Sequence, residues 1–134
     1  MAVEIRFPPR EFDWAIQALR RASADLRAEA DELVGETAQL AAERARQLAP
    51  VRTGRLRRGI GWKHDRGKLR AEVGVDREVF YAPMVEFGHR LVRGRRKAEK
   101  RVVGHVEPRP FLRPALEEAA EVLKARLLSV LQRL

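Results

Sequence analysis

The sequence predicts an α+β fold: a long N-terminal helix, a small antiparallel sheet of three to four strands with a basic loop, and a C-terminal helix packed on the sheet. The main observation behind this prediction is a change in hydrophobic period. Apolar residues recur every three or four positions in residues 10–49 and 111–134, as in helices, and every second position in parts of 50–110, as in strands. A chain of 134 residues has the length of one domain, so we expect residues 1–134 to form a single domain.

The first segment predicts a helix whose apolar or small residues follow one face. Pro8 and Pro9 precede this stripe, and Pro50 ends it, because a proline ring disfavours helical backbone in the residue before it. A continuous helix here would be roughly 54 Å long at ~1.5 Å per residue, against a radius of gyration of only ~14 Å for a compact chain of this size. We therefore expect either a break, with Gly35 as its place, or an overhanging helix that needs a neighbour. The stripe consists of Phe12, Ile16, Leu19, Ser23, Leu26, Ala30, Leu33, Thr37, Leu40 and Leu48.

The middle segment predicts a β-hairpin followed by a further strand. "KLRAEVGVD" alternates apolar and charged residues, as a half-buried strand does. "RLRRGIGWK" before it predicts the partner strand, and Gly67 of "HDRG" suits the turn between them. "RVVGHVE" predicts a third strand, which "PRP" ends because proline cannot donate to a β ladder. The inward faces are expected to be Leu56, Ile60 and Trp62 on the first strand and Leu69, Ala71, Val73 and Val75 on the second.

The last segment predicts an amphipathic helix with a broad apolar face. Pro114 suits its first turn, where a missing N–H is harmless, and Glu117, Glu118 and Glu121 lie near the positive end of the helix dipole. The apolar face comprises Leu112, Ala115, Leu116, Ala119, Val122, Leu123, Leu127, Val130, Leu131 and Leu134.

The net charge of +9 is concentrated in the middle segment. Residues 1–49 hold seven basic against nine acidic residues, 50–110 hold seventeen against seven, and 111–134 hold four against three. A concentrated positive field of this kind attracts polyanions or an acidic protein surface.

The composition excludes several classes of protein and site. The chain contains no cysteine, which excludes disulfides, zinc–thiolate sites and a cysteine nucleophile. The N-terminus has no apolar run like that of a signal peptide, and the sequence has no stretch of about 18 apolar residues. We therefore expect a soluble intracellular product without membrane contact.

The sequence offers few candidates for catalysis or metal binding. His64, His89 and His105 follow no metal-binding spacing, so we expect no metal and no cofactor. Glu86 is the most interesting acid because its neighbours in "YAPMVEFG" are apolar, which could raise its pKa and suit it to proton transfer. No second carboxylate or nucleophile accompanies it, so we expect no catalysis. We expect Glu86 to form an ion pair with a nearby arginine, Arg52, Arg55 or Arg57.

The segment "RLVRGRRKAEKR", residues 90–101, carries seven cations and one acid in twelve positions. It lacks the interleaved aromatic residues on which nucleic-acid readers stack bases, although phosphate contact requires only cations within reach. Protein contact, phosphate contact and plain solvation therefore all stay open for these cations, which are Arg90, Arg93, Arg95, Arg96, Lys97, Lys100 and Arg101.

Three motifs, correctly ordered, are similar to a known family. They are "APVRTGRLRRGI", "YAPMVEFG" and "PRPFLRPALEEA". Together they resemble the neck or tail-completion family of long-tailed bacteriophages, the lambdoid tenth-gene-product-like group often described as head–tail joining or minor capsid proteins. The resemblance covers roughly residues 45–122. The motif residues expected to position the chain are Pro50, Thr53, Gly54, Leu56, Tyr81, Glu86, Phe87, Gly88, Pro110, Phe111 and Pro114.

Elementary chemistry gives several of these residues a role. Thr53 is expected to bond local backbone while Gly54 takes a turn conformation closed to β-branched residues. Phe111 and Leu112 should anchor the start of the last helix. Four further residues are expected to cap one end of the core: Tyr81, Met84, Val85 and Phe87.

The resemblance implies a non-enzymatic ring subunit at the head–tail junction of the virion, assembled in the host cytoplasm. Its implied partners are copies of itself, expected as a hexamer because these tail tubes are sixfold, with adjoining head-closure or adaptor proteins, tail-tube proteins and non-specific contact with double-stranded DNA in the channel. We expect residues 89–105 to project as a hairpin or loop towards a neighbouring subunit, an adjoining ring or the lumen, with the acidic first segment of a neighbour as one candidate contact. The alternative is a small basic protein that binds nucleic acid non-specifically.

Overall fold

A computed structural model describes residues 3–94 and 101–134 of the chain and confirms the α+β prediction. The described strands form a three-stranded sheet and a separate two-stranded sheet. A single 3-10 turn, Arg10–Phe12, precedes the first helix. The helices are α1 (Asp13–Arg20), α2 (Ala24–Leu48), α3 (Arg55–Gly59), α4 (Ala82–Phe87) and α5 (Leu112–Leu131), and the strands are β1 (Val3–Phe7), β2 (Ile60–Asp65), β3 (Arg70–Val75), β4 (His89–Arg93) and β5 (Arg101–Val106).

The first helical segment breaks just before α2 and not at Gly35, so the predicted place of the break is wrong. Ser23 is the physical reason, because its extended backbone and its side chain, which accepts a 3.3 Å hydrogen bond from Leu26 N, cap a new helix there. Gly35 lies inside α2, where the ring of His64 packs on it. A Cβ atom at this position would come within 2.6 Å of His64 Nδ1, so the glycine permits a close approach.

Small residues form the buried face of α2; Ala30 and Thr37 of the predicted stripe belong to it, but the leucines of that stripe do not. Leu26, Leu33 and Leu48 are only half-buried, and Leu40 is exposed. The helix contacts β2 and β3 and also packs along α5, and short side chains let both neighbours approach its backbone closely. The buried positions are Ala30, Asp31, Val34, Gly35, Thr37, Ala38, Ala41, Ala42 and Ala45.

Helix α5 runs antiparallel to α2, which is its main packing partner. Three ion pairs join the two helices in reverse order, Glu29 with Arg133, Glu36 with Arg126 and Arg44 with Glu118. The predicted apolar face of α5 is largely confirmed, although Val122 and Leu134 are exposed. Pro114 lies in the first turn, as predicted.

The three-stranded sheet is antiparallel, with β3 between β1 and β2. Strand β1 was not predicted; it pairs Ile5 with Val73 and Phe7 with Ala71. The predicted start of the partner strand is wrong, because "RLRRG" forms α3 and the strand begins at Ile60. The inward faces also differ from the prediction in three residues. Trp62 is 38% exposed. Leu56 and Leu69 are buried but lie outside the strands, Leu56 in α3 and Leu69 before β3 at a φ of 54°.

Asp31 fastens the turn between β2 and β3 to α2. Its buried carboxylate accepts hydrogen bonds from the backbone N–H groups of Gly67, at 2.8 Å, and Leu69, at 2.9 Å. His64 Nε2 lies 3.2 Å from Asp31 Oδ1, although the two atoms are too poorly aligned for a hydrogen bond. Gly67 has a φ of 83°, which confirms its predicted place in the turn.

Strands β4 and β5 form the second sheet, which we call the arm (residues 89–93 and 101–106). "RVVGHVE" is therefore a strand, as predicted, but it pairs with β4 and not with the three-stranded sheet. The register places Arg90 opposite His105 and Arg93 opposite Arg101, with an irregularity between Leu91 and Val92. This pairing is what a hairpin over residues 89–105 requires.

Candidate assembly surface

Glu86, the last buried residue of α4, joins the second sequence motif to the third. Its Oε2 atom accepts hydrogen bonds from the backbone N–H groups of Phe111, at 2.8 Å, and Leu112, at 3.0 Å, and its Oε1 atom accepts one from Arg113, at 2.8 Å. The first N–H groups of any helix lack partners within the helix, and Phe111, at the N-cap of α5, has no side chain that could accept them. Glu86 therefore caps α5 from a distance.

This contact corrects the prediction that Glu86 pairs with an arginine. A carboxylate is also favourable at the positive end of a helix dipole, so the N-terminus of α5 provides the compensation that an arginine was expected to supply. Phe111 and Leu112 are fully buried beside it, which confirms their predicted role as anchors of α5.

Gly88 fixes the base of the arm. It has a φ of 70°, and a Cβ atom there would lie 2.5 Å from Val106 O and 3.0 Å from Pro108 N. Both are backbone atoms, which cannot swing aside as a side chain can. Arg109 N donates a 2.8 Å hydrogen bond to Val85 O nearby. The arm therefore leaves the body of the protein at a defined place, between α4 and the start of α5.

The arm has no buried core of its own. Its described side chains are exposed or half-buried along both strands, including Leu91 at 43% exposure and Val103 at 49%. A two-stranded hairpin alone is marginally stable in water. Exposed aliphatic residues on such a ribbon are typical of a surface that contacts another molecule.

A groove of about 970 Å³ lies between the arm base and the loop that carries the first motif. Thr53 and Gly54 form this loop as predicted: Thr53 Oγ1 accepts a hydrogen bond from Arg55 N at 3.3 Å, and Gly54 has a φ of 79°. The lining is mainly apolar, and its rim carries four arginines against one acid, Glu107. The apolar lining includes Pro50, Leu56, Tyr81, Met84, Val85 and Val106, and the rim arginines are Arg52, Arg55, Arg58 and Arg109.

The predicted core cap at this end is partly wrong. Tyr81 and Val85 pack against the core, but Met84 is exposed, and Phe87 is 64% exposed. Both exposed residues lie on α4, a short helix that ends at Phe87 and is capped by Gly88. Phe80, in the preceding turn, is exposed as well, and its ring lies edge-on to Tyr81. These side chains add apolar surface beside the groove.

The cations at this end are clustered around the groove and arm and have no acidic partner within the described chain. Arg90, Arg93 and Arg101 are exposed on the arm, and no ion pair within residues 3–94 and 101–134 includes them or a rim arginine. Arg55 instead donates to the backbone oxygen of Glu78 at 2.9 Å. The positive field is therefore uncompensated at the groove and arm. The remaining predicted cations, Arg95, Arg96, Lys97 and Lys100, lie outside the described residues.

The other predicted site residues lie at element ends, in the core or at the arm base. Pro50 follows α2, Leu56 is buried, and Pro110 precedes the buried Phe111. His89 and His105 are exposed at the arm base, one register step apart. In the described part of the chain, no three acidic or histidine side chains group as metal ligands would. No described helix is long and apolar enough to cross a membrane.

Comparison with known proteins gives one match. Residues 13–88 match the family described as "Bacteriophage HK97-gp10, putative tail-component". No curated protein and no solved structure matches the chain. The matched segment runs from α1 to the residue that fixes the arm base and includes the first two motifs. Because it covers more than half of the 134 residues, the chain belongs to the HK97-gp10-like family of bacteriophage tail components.

Proposed function

We propose that this tail component is a structural ring subunit of the phage head–tail junction, of the neck, tail-completion or tail-terminator kind. In this role it joins the DNA-filled head to the tail and surrounds the DNA channel. The observation that carries the proposal is the end of the molecule where the groove and the arm meet. All three motifs converge there on a surface that combines exposed apolar side chains with uncompensated cations.

The composition of this surface favours a protein partner. Cations alone would suit solvent or phosphate, but Leu91, Val103 and Phe87 gain from leaving water only when another surface covers them. Charges around such an apolar patch add specificity and speed of encounter more than affinity. A copy of the same chain meets this requirement if one face of a subunit contacts a different face of the next, which closes a ring when the rotation allows it. We propose a sixfold ring, in keeping with the sixfold tail tube.

Both buried carboxylates of the described chain support a non-enzymatic role. Asp31 accepts two backbone N–H groups, and Glu86 accepts three. A carboxylate held in this way positions the backbone of the neighbouring segment. We therefore propose that the protein acts through assembly, with head-closure or adaptor proteins and tail-tube proteins as its other partners in the virion.

The unpaired arginines also favour a second candidate function, non-specific binding of nucleic acid. That function requires the isolated chain to bind a DNA duplex tightly, with an affinity that falls steeply as salt rises, because bound cations release counterions from DNA. A ring subunit should bind duplex DNA weakly as a monomer. Fluorescence anisotropy of a labelled duplex, titrated at several salt concentrations, separates the two functions.

Negative-stain electron microscopy of the purified protein tests the ring directly. The proposal predicts annular particles with a central hole at high protein concentration. A chain that stays monomeric at millimolar concentration, and that is missing from purified virions by mass spectrometry, would contradict it.

A further inference from the structure

We propose that the groove and arm of one copy dock on the solvent face of helix α2 of a second copy. This inference rests on the proposed ring and deepens it by naming the two surfaces that meet. The observation behind it is a charge complementarity between two distant parts of the same chain.

The solvent face of α2 is acidic along most of its length. Every exposed charged residue of this helix is an acid, and the three arginines of α2 are only half-buried. Two of those arginines are held by other groups, Arg44 by Glu118 and Arg46 by the backbone oxygen of Ile60. The acids recur at spacings of three, four and seven, so they follow one side of the helix over about 27 Å. They are Asp25, Glu29, Glu32, Glu36 and Glu43.

Part of this acidity is uncompensated within the subunit. Glu29 and Glu36 pair with Arg133 and Arg126 of α5, and exposed pairs of this kind contribute little. Asp25, Glu32 and Glu43 take part in no ion pair within residues 3–94 and 101–134. These three acids therefore leave a negative stripe that matches the positive groove rim and arm.

The apolar parts of the two surfaces match as well. Leu40 is 40% exposed on the same side of α2, between Glu36 and Glu43. The groove offers Met84 and Val106 within its arginine rim. A helix that lays a side chain of this kind into an apolar groove, with charges on both margins, is a common mode of recognition. The two surfaces come from different parts of the chain, so the contact is head-to-tail, as a closed ring requires.

Two charge-reversal variants test this contact. The helix-reversed variant carries Asp25→Lys, Glu32→Lys and Glu43→Lys, and the arm-reversed variant carries Arg90→Glu, Arg93→Glu and Arg101→Glu. All six positions are exposed, so circular dichroism and the melting temperature should stay close to those of the unchanged protein. A control variant with Glu11→Lys, Glu117→Lys and Glu121→Lys makes the same change in net charge as the helix-reversed variant, at exposed acids outside α2.

Native mass spectrometry and light scattering give the outcomes. Each reversed variant alone should require a protein concentration at least ~10-fold higher to assemble, because like charges then face each other across the contact. An equimolar mixture should assemble again, in a 1:1 ratio with an even number of subunits, because both kinds of contact in the mixture join opposite charges. The control variant should assemble like the unchanged protein.

Different results would contradict the proposed contact and the proposed ring. If the unchanged protein forms rings and the reversed variants form them equally well, or if the mixture does not recover, the contact is wrong while the ring stands. If the arm-reversed variant loses only binding to duplex DNA, the arm meets DNA and the contact is again wrong. A chain that forms no ring under any condition contradicts both.

Discussion

The body of the protein and its arm end use the same residue types for opposite purposes. In the body, valines of β3 are fully buried, and Glu29, Glu36 and Arg44 of α2 each have a partner of opposite charge on α5. In the arm, Val102 and Val103 are half exposed. Arg90, Arg93 and Arg101 there have no acidic partner among the described residues. A side chain that is satisfied within the subunit contributes to folding, whereas one left unsatisfied is available to a partner. The comparison therefore assigns folding to the buried parts of the body, and assembly to the arm end and to the acidic solvent face of α2 on which the arm is proposed to dock.

Glu86 stands between the two regions, and its removal should give the largest effect on stability. Glu86→Ala leaves three N–H groups at the start of α5 without their acceptor, so we expect the free energy of unfolding to fall by about 2–4 kcal/mol. Urea denaturation followed by circular dichroism measures this change. Glu107→Ala, which removes an exposed acid near the arm base, is the matched control and should stay within about 0.5 kcal/mol of the unchanged protein. Equal losses in the two variants would mean that Glu86 does not join arm and body.

The next largest effect is expected from the same substitution at two valines, one in the body and one in the arm. Val73→Thr puts a hydroxyl group into the core, and we expect a loss of about 1–2 kcal/mol because the group has no partner there. Val103→Thr makes the same chemical change in the arm, where water reaches the side chain, and should alter stability by less than about 0.5 kcal/mol. The same denaturation experiment compares them. A large loss for Val103→Thr would show that the arm is packed within the subunit.

The smallest expected effect concerns the ion pair between Glu29 and Arg133. The hydrogen bond from Arg133 Nη2, at 2.6 Å, lowers the pKa of Glu29 below its ordinary value of 4.5. A lowered folded-state pKa contributes stability above the unfolded-state pKa, and that contribution is lost as pH falls through the folded-state value. Because both side chains are exposed, the contribution should be small.

Nuclear magnetic resonance titration of the Glu29 carboxyl group measures this pKa. Arg133→Gln should raise it towards 4.5, and Arg133→Lys should retain part of the shift. The stability difference between Arg133→Gln and the unchanged protein should also shrink in acid. A Glu29 pKa that is the same in all three proteins would contradict the pairing of α2 with α5 at this point.

The sequence predicted the parts of the fold that local pattern determines. The spacing of apolar residues predicted the α+β class and the strand at Val73, and the positions of glycine and proline predicted the turn at Gly67 and the first turn of α5 at Pro114. The predicted break at Gly35 is wrong because the cap at Ser23 begins the new helix, and the contact between Gly35 and the distant His64 could not be seen in the sequence.

The candidate site was predictable to a similar extent. The three motifs and the cations were visible in the sequence, and Gly54 adopts the conformation expected of it. The partner of Glu86 could not be predicted from the sequence. Its carboxylate binds three backbone N–H groups, and every residue other than proline has such a group, so residue type does not identify them. The exposure of Phe87 was missed for a related reason. An aromatic residue in an apolar motif is expected in the core, and only the structure shows that Phe87 is exposed.

Hydrogen–deuterium exchange of the protein at low and at high concentration tests the division of roles most directly. The account predicts that assembly slows exchange of the backbone N–H groups of β4 and β5, which lack a packed core, and of the loop around Gly54. The buried strand β3 and helix α5 should exchange at the same rate in both states, whereas helix α2, the proposed docking surface of the arm, should slow as well. Unchanged exchange in the arm, with slowing confined to β3 and α5, would contradict the assignment of assembly to the arm end.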